Sequence, residues 1–253
     1  MQILLACAKT MNDARRVKMQ LTSVPHCSKE ANRLALDMSG RTVEELQEMF
    51  HCSARIALQN MLRYQQFFDE QLLRPAILLY NGQAYKGLQA QNFNTADLTF
   101  AQQHLWITSF LYGLLRPMDG IHPYRMEGNI QLPAAEGKSL FDFWKIRLTD
   151  LLIQAVKDDD GVLVHLATEE MQHLFQWPRV ISSVRVIQPQ FMVEKQGRLR
   201  TVSVYAKTCR GSMTRHIICN RLREPSSLRG FSYEGFTFTD RFGDAEHPYF
   251  VLE

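Results

Sequence analysis

Several features that would assign a function at once are missing from this chain of 253 residues. No stretch approaches the roughly 18 consecutive apolar residues of a membrane-spanning helix. The apolar run before Lys9 is too short for the core of a signal peptide. No low-complexity linker divides the chain, and no internal repeat is visible. We therefore expect a cytoplasmic, soluble protein with one compact domain over residues 1–253, no membrane partner, and a monomer as the favoured state.

Signatures of metal centres and of hydrolases are missing too. The cysteines number five, an odd count without any CxxC pair, which indicates reduced thiols. His26-Cys27 and His51-Cys52 are neighbours in sequence, and adjacent residues rarely reach one metal ion. There is no GxSxG, and "NGQAYKGLQA" around Tyr85 lacks the GxxxxGKS/T of a phosphate loop. The sequence predicts no cofactor and no metal site, and iron at the His-Cys pairs is kept as a third alternative.

What the chain does have is an apolar fraction of 45%, enough for a sizeable core, and a net charge of +3. Apolar runs predict buried strands at "QILLACA", "PAILLYNG" and "GVLVHLA". Helices are predicted from Ser53, over residues 95–115, and from Ser139, where Asp142 three residues on completes a capping pattern. A β-hairpin is predicted around Gln196-Gly197, followed by strands at "GFSYEGFTFTD" and "HPYFVLE". This order favours an α/β fold, a mixed sheet with surrounding helices and α+β character.

The stretch "VYAKTCRGSMTRHIICNRL" predicts the end of a strand that runs into a helix, with Arg210 at the helix start. A cation is unfavourable there, so its presence suggests that an anion binds. Lys207, Gly211 and Arg215 accompany Arg210, and Gly211 permits close backbone approach. The open alternative is that these are solvated helix charges, with Arg210 paired to an internal carboxylate such as Glu170.

Two further segments carry candidate anion-binding residues. Lys9 and Thr10 follow the first predicted strand, and the carboxyl end of a strand is the usual crevice position in open α/β sheets. Lys9 could equally mark where that strand reaches the surface. The loop "LRPMDGIHPYRMEGN" interleaves Arg116, Tyr124 and Arg125, which suits base stacking with phosphate contact. A surface loop fixed by its own ion pairs is the open alternative.

The motifs "ACAKT", "AYKGLQA", "FAQQHL…LYGLLRPMDGIHPYRMEGN", "LFDFW", "HLATEE" and "SVYAKTCRGSMTRHIICNRL" occur in an order and spacing that resemble the YaaA peroxide-stress protein family. The resemblance covers nearly the whole chain. It implies a cytosolic bacterial protein of the hydrogen-peroxide response, linked to limiting free intracellular iron and oxidative DNA damage. It also implies an α/β fold with a positively charged cleft, a helix-hairpin-helix-like element associated with DNA binding, and no defining cofactor.

The resemblance carries over to the following positions: Lys9, Thr10, Tyr85, Gly87, Leu88, Arg116, Pro117, Tyr124, Arg125, Trp144, Glu170, Tyr205, Lys207, Arg210, Gly211 and Arg215. There are departures from the family pattern. Ala6 and Cys7 stand where Ser-Pro is usual, and Phe110 stands where the hairpin usually has glycine. Because Phe110 adds bulk and restricts φ, we expect either DNA contact through the cleft more than through the hairpin, or weaker DNA binding.

Two functions fit these residues. The first is a DNA-binding protein that protects against peroxide, in which Lys9, Arg116, Arg125, Lys207 and Arg210 contact phosphates and Tyr85 or Tyr124 stacks on unpaired bases. The second is an enzyme that acts on a phosphorylated or nucleotide-like anion in the same cleft, with Glu170 as the acid/base.

Overall fold

The computed structural model of the chain describes residues 1–12 and 23–253. Its α-helices are α1 (Ser28–Ser39), α2 (Val43–Phe50), α3 (Ala54–Gln65), α4 (Ala76–Leu79), α5 (Gln83–Leu88), α6 (Thr95–His104), α7 (Leu140–Lys157), α8 (Trp177–Ser183) and α9 (Ser203–Asn220). Its strands are β1 (Gln2–Leu5), β2 (Arg74–Pro75), β3 (Leu105–Ser109), β4 (Gly113–Leu115), β5 (Gly120–Ile121), β6 (Val162–Leu166), β7 (Arg185–Ile187), β8 (Gln190–Lys195), β9 (Arg198–Arg200), β10 (Ser232–Tyr233), β11 (Phe236–Gly243) and β12 (Pro248–Leu252). Short 3-10 helices cover Glu70–Leu72, Ala90–Asn92, Pro133–Ala135, Glu169–Leu174 and Pro225–Gly230.

The first sheet has the strand order β4-β3-β1-β6-β7. Strands β3, β1, β6 and β7 are parallel, and β4 adds an antiparallel edge next to β3. Residues 2–5, 105–109 and 163–166 are all buried, as expected for parallel strands that are covered on both faces. Since β1, β3 and β6 are parallel, the segments that follow them meet at one edge of the sheet.

The second sheet has the order β10-β11-β12-β8-β9. The β12–β8 pair is parallel and the other pairs are antiparallel. A separate antiparallel pair joins β2 to β5. One apolar cluster of buried residues includes members from both sheets and from the helices between them. The predicted α/β class, with a mixed sheet and surrounding helices, is therefore confirmed.

Helix α9 packs against strands of both sheets and crosses α5 at very short range. A Cβ atom on Gly211 would lie 1.6 Å from the carbonyl oxygen of Ala84, and one on Gly87 would lie 2.2 Å from that of Thr208. Only glycine fits at either crossing point, because the obstructing atoms are backbone. This close contact fixes α5, and hence Tyr85, against the middle of α9.

Local signals predicted some helix starts correctly. The hydroxyl of Ser139 accepts a hydrogen bond from the Asp142 backbone at 3.2 Å, as a capping residue does. Ser53 occupies the cap position of α3 without a side-chain cap bond. The hairpin around Gln196-Gly197 and the last two predicted strands are present as well. Within residues 1–12 and 23–253, no helix is both long and apolar enough to cross a bilayer.

Two other segments differ from the sequence prediction. "PAILLYNG" was expected to be a strand, but residues 76–79 form α4 and only Arg74–Pro75 is extended. The expected helix over 95–115 ends at His104 and continues as β3, the neighbour of β1. Both errors have one cause. A short run of buried apolar residues suits a strand and a buried helix equally well, so tertiary pairing decides.

The prediction that Arg210 begins a helix is wrong. Helix α9 starts at Ser203, so Arg210 lies in its middle, away from the free N–H groups of the first turn. Val202, Val204 and Tyr205 gave the segment a strand-like appearance. The helical period becomes visible only from Ala206, through the buried Cys209, Met213 and Ile217. The helix dipole therefore does not favour an anion at Arg210, and any anion binding there depends on the groups around its side chain.

Candidate anion-binding pocket

A pocket of about 310 Å³ opens where β1, β3 and β6 end. Its lining residues come from six separate stretches of the chain: Ala6, Cys7, Ala8, Lys9, Thr10, Gly82, Gln83, Ala84, Tyr85, Phe110, Tyr124, Arg125, Met126, Leu166, Thr168, Glu170, Met171, Lys207 and Arg210. The carboxyl edge of a parallel sheet is where α/β proteins usually bind ligands. The prediction that Lys9 lies at such a crevice agrees with this geometry.

Two of the lining cations share one acid. The Nζ of Lys9 lies 2.9 Å from one carboxylate oxygen of Glu127, and a guanidinium nitrogen of Arg125 lies 2.8 Å from the other. Lys9 is largely exposed, whereas Arg125 and Glu127 are mostly covered. Three charges so arranged leave a net charge of about +1 at ordinary pH. The rim formed by residues 9, 125 and 127 is therefore only partly neutralised.

The other two cations have no such acid. Lys207 and Arg210 lie three residues apart on α9, so both side chains point from one face of the helix. No residue in the described part of the chain forms a hydrogen bond or an ion pair with either of these two side chains. Burial lowers the pKa of Arg210, and the negative charge of Glu169 opposes that effect. A half-buried guanidinium without a partner retains unsatisfied donors that suit a bidentate anion.

Aromatic rings form one wall of the pocket and are held rigidly. The hydroxyl of Tyr85 donates to the carbonyl of Ala6 at 3.1 Å. The hydroxyl of Tyr124 lies 2.7 Å from that of Tyr80 and 2.6 Å from that of Ser109. Burial raises the pKa of all three tyrosines well above its ordinary value, so the hydroxyls stay protonated. Tyr85 and Tyr124 are thus fixed walls of the pocket rather than exposed stacking platforms.

Polar atoms without partners lie in the same wall. Glu170 is exposed at the pocket, and no residue of the described segments pairs with its carboxylate. No ion pair joins it to Arg210, contrary to the structural alternative considered from the sequence. The Oγ1 of Thr168 and the Nε of Arg125 are buried without a hydrogen-bond partner among the described residues. Burying such atoms is costly, so each is available to a ligand.

The pocket thiol is unreactive. Burial raises the pKa of Cys7 to about 12, and the nearby charge of Glu170 adds to the effect. Since the thiolate is the nucleophile, Cys7 is almost entirely in its inert thiol form at neutral pH. Cys7 is therefore not suited to sense peroxide directly.

The remaining predicted residues occupy other positions. Thr10 lines the pocket rim, with its hydroxyl hydrogen-bonded to the carbonyl of Asn81. Gly211 serves the crossing of α9 with α5. Arg215 donates to the carbonyl oxygens of Leu88 and Gln89 at 3.4 and 3.2 Å. Neither Gly211 nor Arg215 lines the pocket.

Arg116 lies at the opposite edge of the first sheet. Its guanidinium covers the ring of Trp106 at 3.4 Å and donates to Gln2 and to the carbonyls of Gln103 and Leu105. Burial lowers the pKa of Arg116 to about 10. The side chain is thus committed to the packing of the strand starts, and it does not reach the pocket.

The segment expected to provide a helix-hairpin-helix-like element is a strand-turn-strand unit formed by β3 and β4. Phe110, in its turn, is buried against Phe141 at 5.5 Å, and its carbonyl accepts from Trp144 Nε1 at 2.8 Å. Leu111 is also fully buried. The backbone at Phe110 is therefore engaged within the fold.

Thr168 and Glu127 are the site residues that sequence reasoning underused. Thr168 follows β6 as Lys9 follows β1. Ligands of open α/β sheets bind at the carboxyl ends of the strands, so the same reasoning applied to every predicted strand would have identified Thr168 as well. Glu127 lies in the loop "LRPMDGIHPYRMEGN", and nothing in the sequence pairs it with Lys9. In the described residues, no group of three His, Cys, Asp or Glu side chains is arranged to hold a metal ion.

Comparison with known proteins adds independent information. The profile of the family described as "Peroxide stress protein YaaA" matches residues 1–242. A "UPF0246 protein" of Bacteroides thetaiotaomicron is 45% identical over 252 residues, covering 99% of this chain and 98% of that protein. One from Phocaeicola vulgatus is 46% identical over 253 residues, with 100% and 99% covered, and one from Porphyromonas gingivalis is 42% identical over 256 residues, with both chains fully covered.

Proposed function

The chain belongs to the YaaA peroxide stress protein family, and from this premise we propose that it binds DNA and holds one unstacked nucleotide in its pocket. A pocket of about 310 Å³ has the size of a small-molecule site, whereas a double helix is far too wide for it. The bound nucleotide therefore has to be unpaired or turned out of the duplex.

The observation that carries this proposal is the convergence of Lys207 and Arg210, both unpaired within the described residues, in a pocket walled by aromatic rings. Arg210 can grip a phosphate through two N–H groups, and Lys207 adds a point charge. The base then lies against the pocket wall that Tyr85, Tyr124 and Phe110 form. Lys9 and Arg125 face the adjoining backbone from the rim. We assign DNA contact to the pocket because the turn at Phe110 is buried.

The direct test measures DNA binding by fluorescence anisotropy at two salt concentrations. The ligands are a duplex and the same duplex with an unpaired bubble. We expect tighter binding to the bubble, a steep loss with salt, and a loss of at least tenfold in the variant carrying Lys207→Gln and Arg210→Gln. Lys157→Gln, an exposed lysine at the end of α7, is the matched control and should bind like the wild type. Absent or salt-indifferent binding by the wild type contradicts the proposal.

A second candidate is an enzyme that acts on a nucleotide-like anion in the same pocket. The observation in its favour is the carboxylate of Glu170, which no residue in the described segments engages. A carboxylate so placed can take or give a proton beside a phosphate held by Lys207 and Arg210. We expect Glu170→Gln to abolish turnover of nucleotides or damaged bases while DNA affinity stays within a factor of three. Turnover that survives the substitution removes Glu170 from this role.

The link to limiting free intracellular iron belongs to the same proposal. Bacterial cells that lack this protein can be complemented with the wild type or with the double variant at Lys207 and Arg210, and their chelatable iron measured after exposure to peroxide. We expect only the wild type to lower free iron and DNA damage. Full complementation by the variant would separate the iron effect from the pocket.

A further inference from the structure

A second group of unpaired cations lies on the hairpin formed by β8 and β9, directly before α9. Lys195 is opposite Arg198, and Arg200 is opposite Val193. All three basic side chains are exposed. None of the residues in 1–12 or 23–253 forms a hydrogen bond or an ion pair with them. We call Lys195, Arg198 and Arg200 the hairpin patch.

The strand register places the hairpin patch on one face of the second sheet. Residues directly opposite each other in an antiparallel pair point to the same side, and so do residues two apart on one strand. Lys195, Arg198 and Arg200 therefore share a face with Val193 and Phe191.

This face is the one that α9 covers. Phe191 contacts the ring of Phe231 at 6.0 Å, and Phe231 contacts His216 of α9 at 5.7 Å. The acid of this hairpin, Glu194, points to the other face, where it pairs with Arg241 at 3.0 Å. The hairpin patch is thus separated from Glu194 by the sheet itself and extends the α9 side of the molecule.

The hairpin patch is also close to the pocket. Arg198 and the helix start at Ser203 are five residues apart, at most about 18 Å of extended chain. From Ser203 to Lys207 the helix rises about 6 Å. No acidic residue occurs between Lys195 and Arg210. The two spans together are therefore at most about 24 Å, or about seven steps of 3.4 Å along one DNA strand.

We propose that the hairpin patch binds the phosphate backbone of the DNA segment that flanks the nucleotide held in the pocket. This inference rests on the proposed function and adds to it a second contact surface and a direction for the DNA. The exposed Val202, Val204 and Tyr205 lie between the two sets of cations and face the sugars of the same segment. Binding by the hairpin patch does not depend on the DNA sequence, because phosphate contacts carry no sequence information.

The test compares two triple variants with the wild type. The first carries Lys195→Gln, Arg198→Gln and Arg200→Gln, and the control carries Lys29→Gln, Arg33→Gln and Lys157→Gln, three exposed cations on α1 and α7. The ligands are a bubble with duplex flanks and a single strand of about five nucleotides that fills little more than the pocket.

For the hairpin-patch variant we expect at least a tenfold loss of affinity for the flanked bubble. Its slope of log K against log salt should flatten by about 2 to 3, since each phosphate contact contributes about 0.9. Affinity for the short strand should stay within a factor of two. The control variant should keep the wild-type slope.

Other outcomes separate the two proposals. If the wild type binds the flanked bubble and the hairpin-patch variant keeps its affinity and slope, the inference is overturned while the pocket proposal stands. An equal loss in the control variant reduces the effect to net charge and also overturns it. If the wild type binds neither DNA, the proposed function fails first. Loss of binding to phosphatidylserine vesicles alone, with DNA binding intact, would identify a membrane as the partner instead.

Discussion

In the first sheet, charged side chains lie at the edge where β3, β1 and β6 begin (the amino edge) and at the edge where they end (the carboxyl edge). The two edges differ in whether these charges are paired. At the amino edge, Asp159 accepts from the Met1 ammonium at 3.2 Å, from His104 at 3.0 Å and from Gln2 at 2.9 Å. Arg223 adds a fourth contact at 3.5 Å. At the carboxyl edge, Lys207, Arg210 and Glu170 have no partner among the described residues. The same sheet thus has one edge with satisfied charges and one with charges that are left available.

The difference shows how to separate structural from functional charges in this fold. Removing one partner of a charge pair at close range leaves the other charge uncompensated, and this lowers stability. An unpaired, half-buried charge lowers stability in the free protein, so a ligand that pairs with it gains that energy on binding. On this criterion Arg116 is structural and the half-buried Arg210 is functional, with the exposed Lys207 beside it. The rim of Lys9, Arg125 and Glu127 is intermediate.

The largest effect on stability should come from the amino edge. Arg116→Ala removes three hydrogen bonds and a cation–ring contact, so we expect a loss of about 3 kcal/mol in the free energy of unfolding. Urea denaturation of the variant and the wild type measures it. DNA affinity at a temperature where both are folded should not change. A variant that is fully stable but binds DNA poorly would move Arg116 into the functional group.

Two histidines allow the same comparison through pH. His104 is paired with Asp159, whereas His165 is buried against Trp177 with both ring nitrogens unpartnered in the described structure. Burial, together with the smaller effect of the Arg210 charge, lowers the pKa of His165 to about 3. The unfolded chain therefore binds one more proton between pH 6.5 and 3. Stability from this group is complete above pH 6.5 and is lost as pH falls.

Unfolding at pH 6.5 and pH 5 tests this expectation. The histidine should cost the wild type about 2 kcal/mol over that interval, at about 1.4 kcal/mol per pH unit. His165→Leu should remove that part of the slope. Identical slopes in the wild type and the variant would mean that His165 is protonated in the folded protein and therefore has a partner.

Part of this picture was predictable from the sequence. The rule that ligands bind at the carboxyl ends of strands placed Lys9 at a crevice, and the cap at Ser139 is a local signal that needs no tertiary information. The position of Arg116 could not be predicted from the sequence. Its loop follows β4, and because β4 is antiparallel to β3, Arg116 lies at the amino edge. Arg210 was chosen for a helix start that does not exist, yet it lines the pocket.

The smallest effect is expected at the rim. Glu127→Gln removes the acid shared by Lys9 and Arg125. Such partly exposed pairs contribute at most about 1 kcal/mol, so stability should change little. DNA affinity should rise a few-fold because a negative charge leaves the path of the phosphates. Anisotropy with the bubble DNA measures it, and weaker binding would show that Glu127 positions the two cations productively.

The same urea experiments test the prediction that residues 1–253 form one domain. A single cooperative transition by fluorescence and by circular dichroism is expected, because one apolar cluster links the two sheets. Two separate transitions would show that the two sheets unfold as independent units.

The most direct measurement is a crystal structure of the protein with a short single-stranded deoxyoligonucleotide. We expect one phosphate within about 3 Å of the Arg210 guanidinium and the Lys207 ammonium, with its base against Tyr85 and Tyr124. A phosphate bound elsewhere, or a Glu169 or Glu170 carboxylate paired with Arg210 in the nucleotide-bound protein, would contradict it.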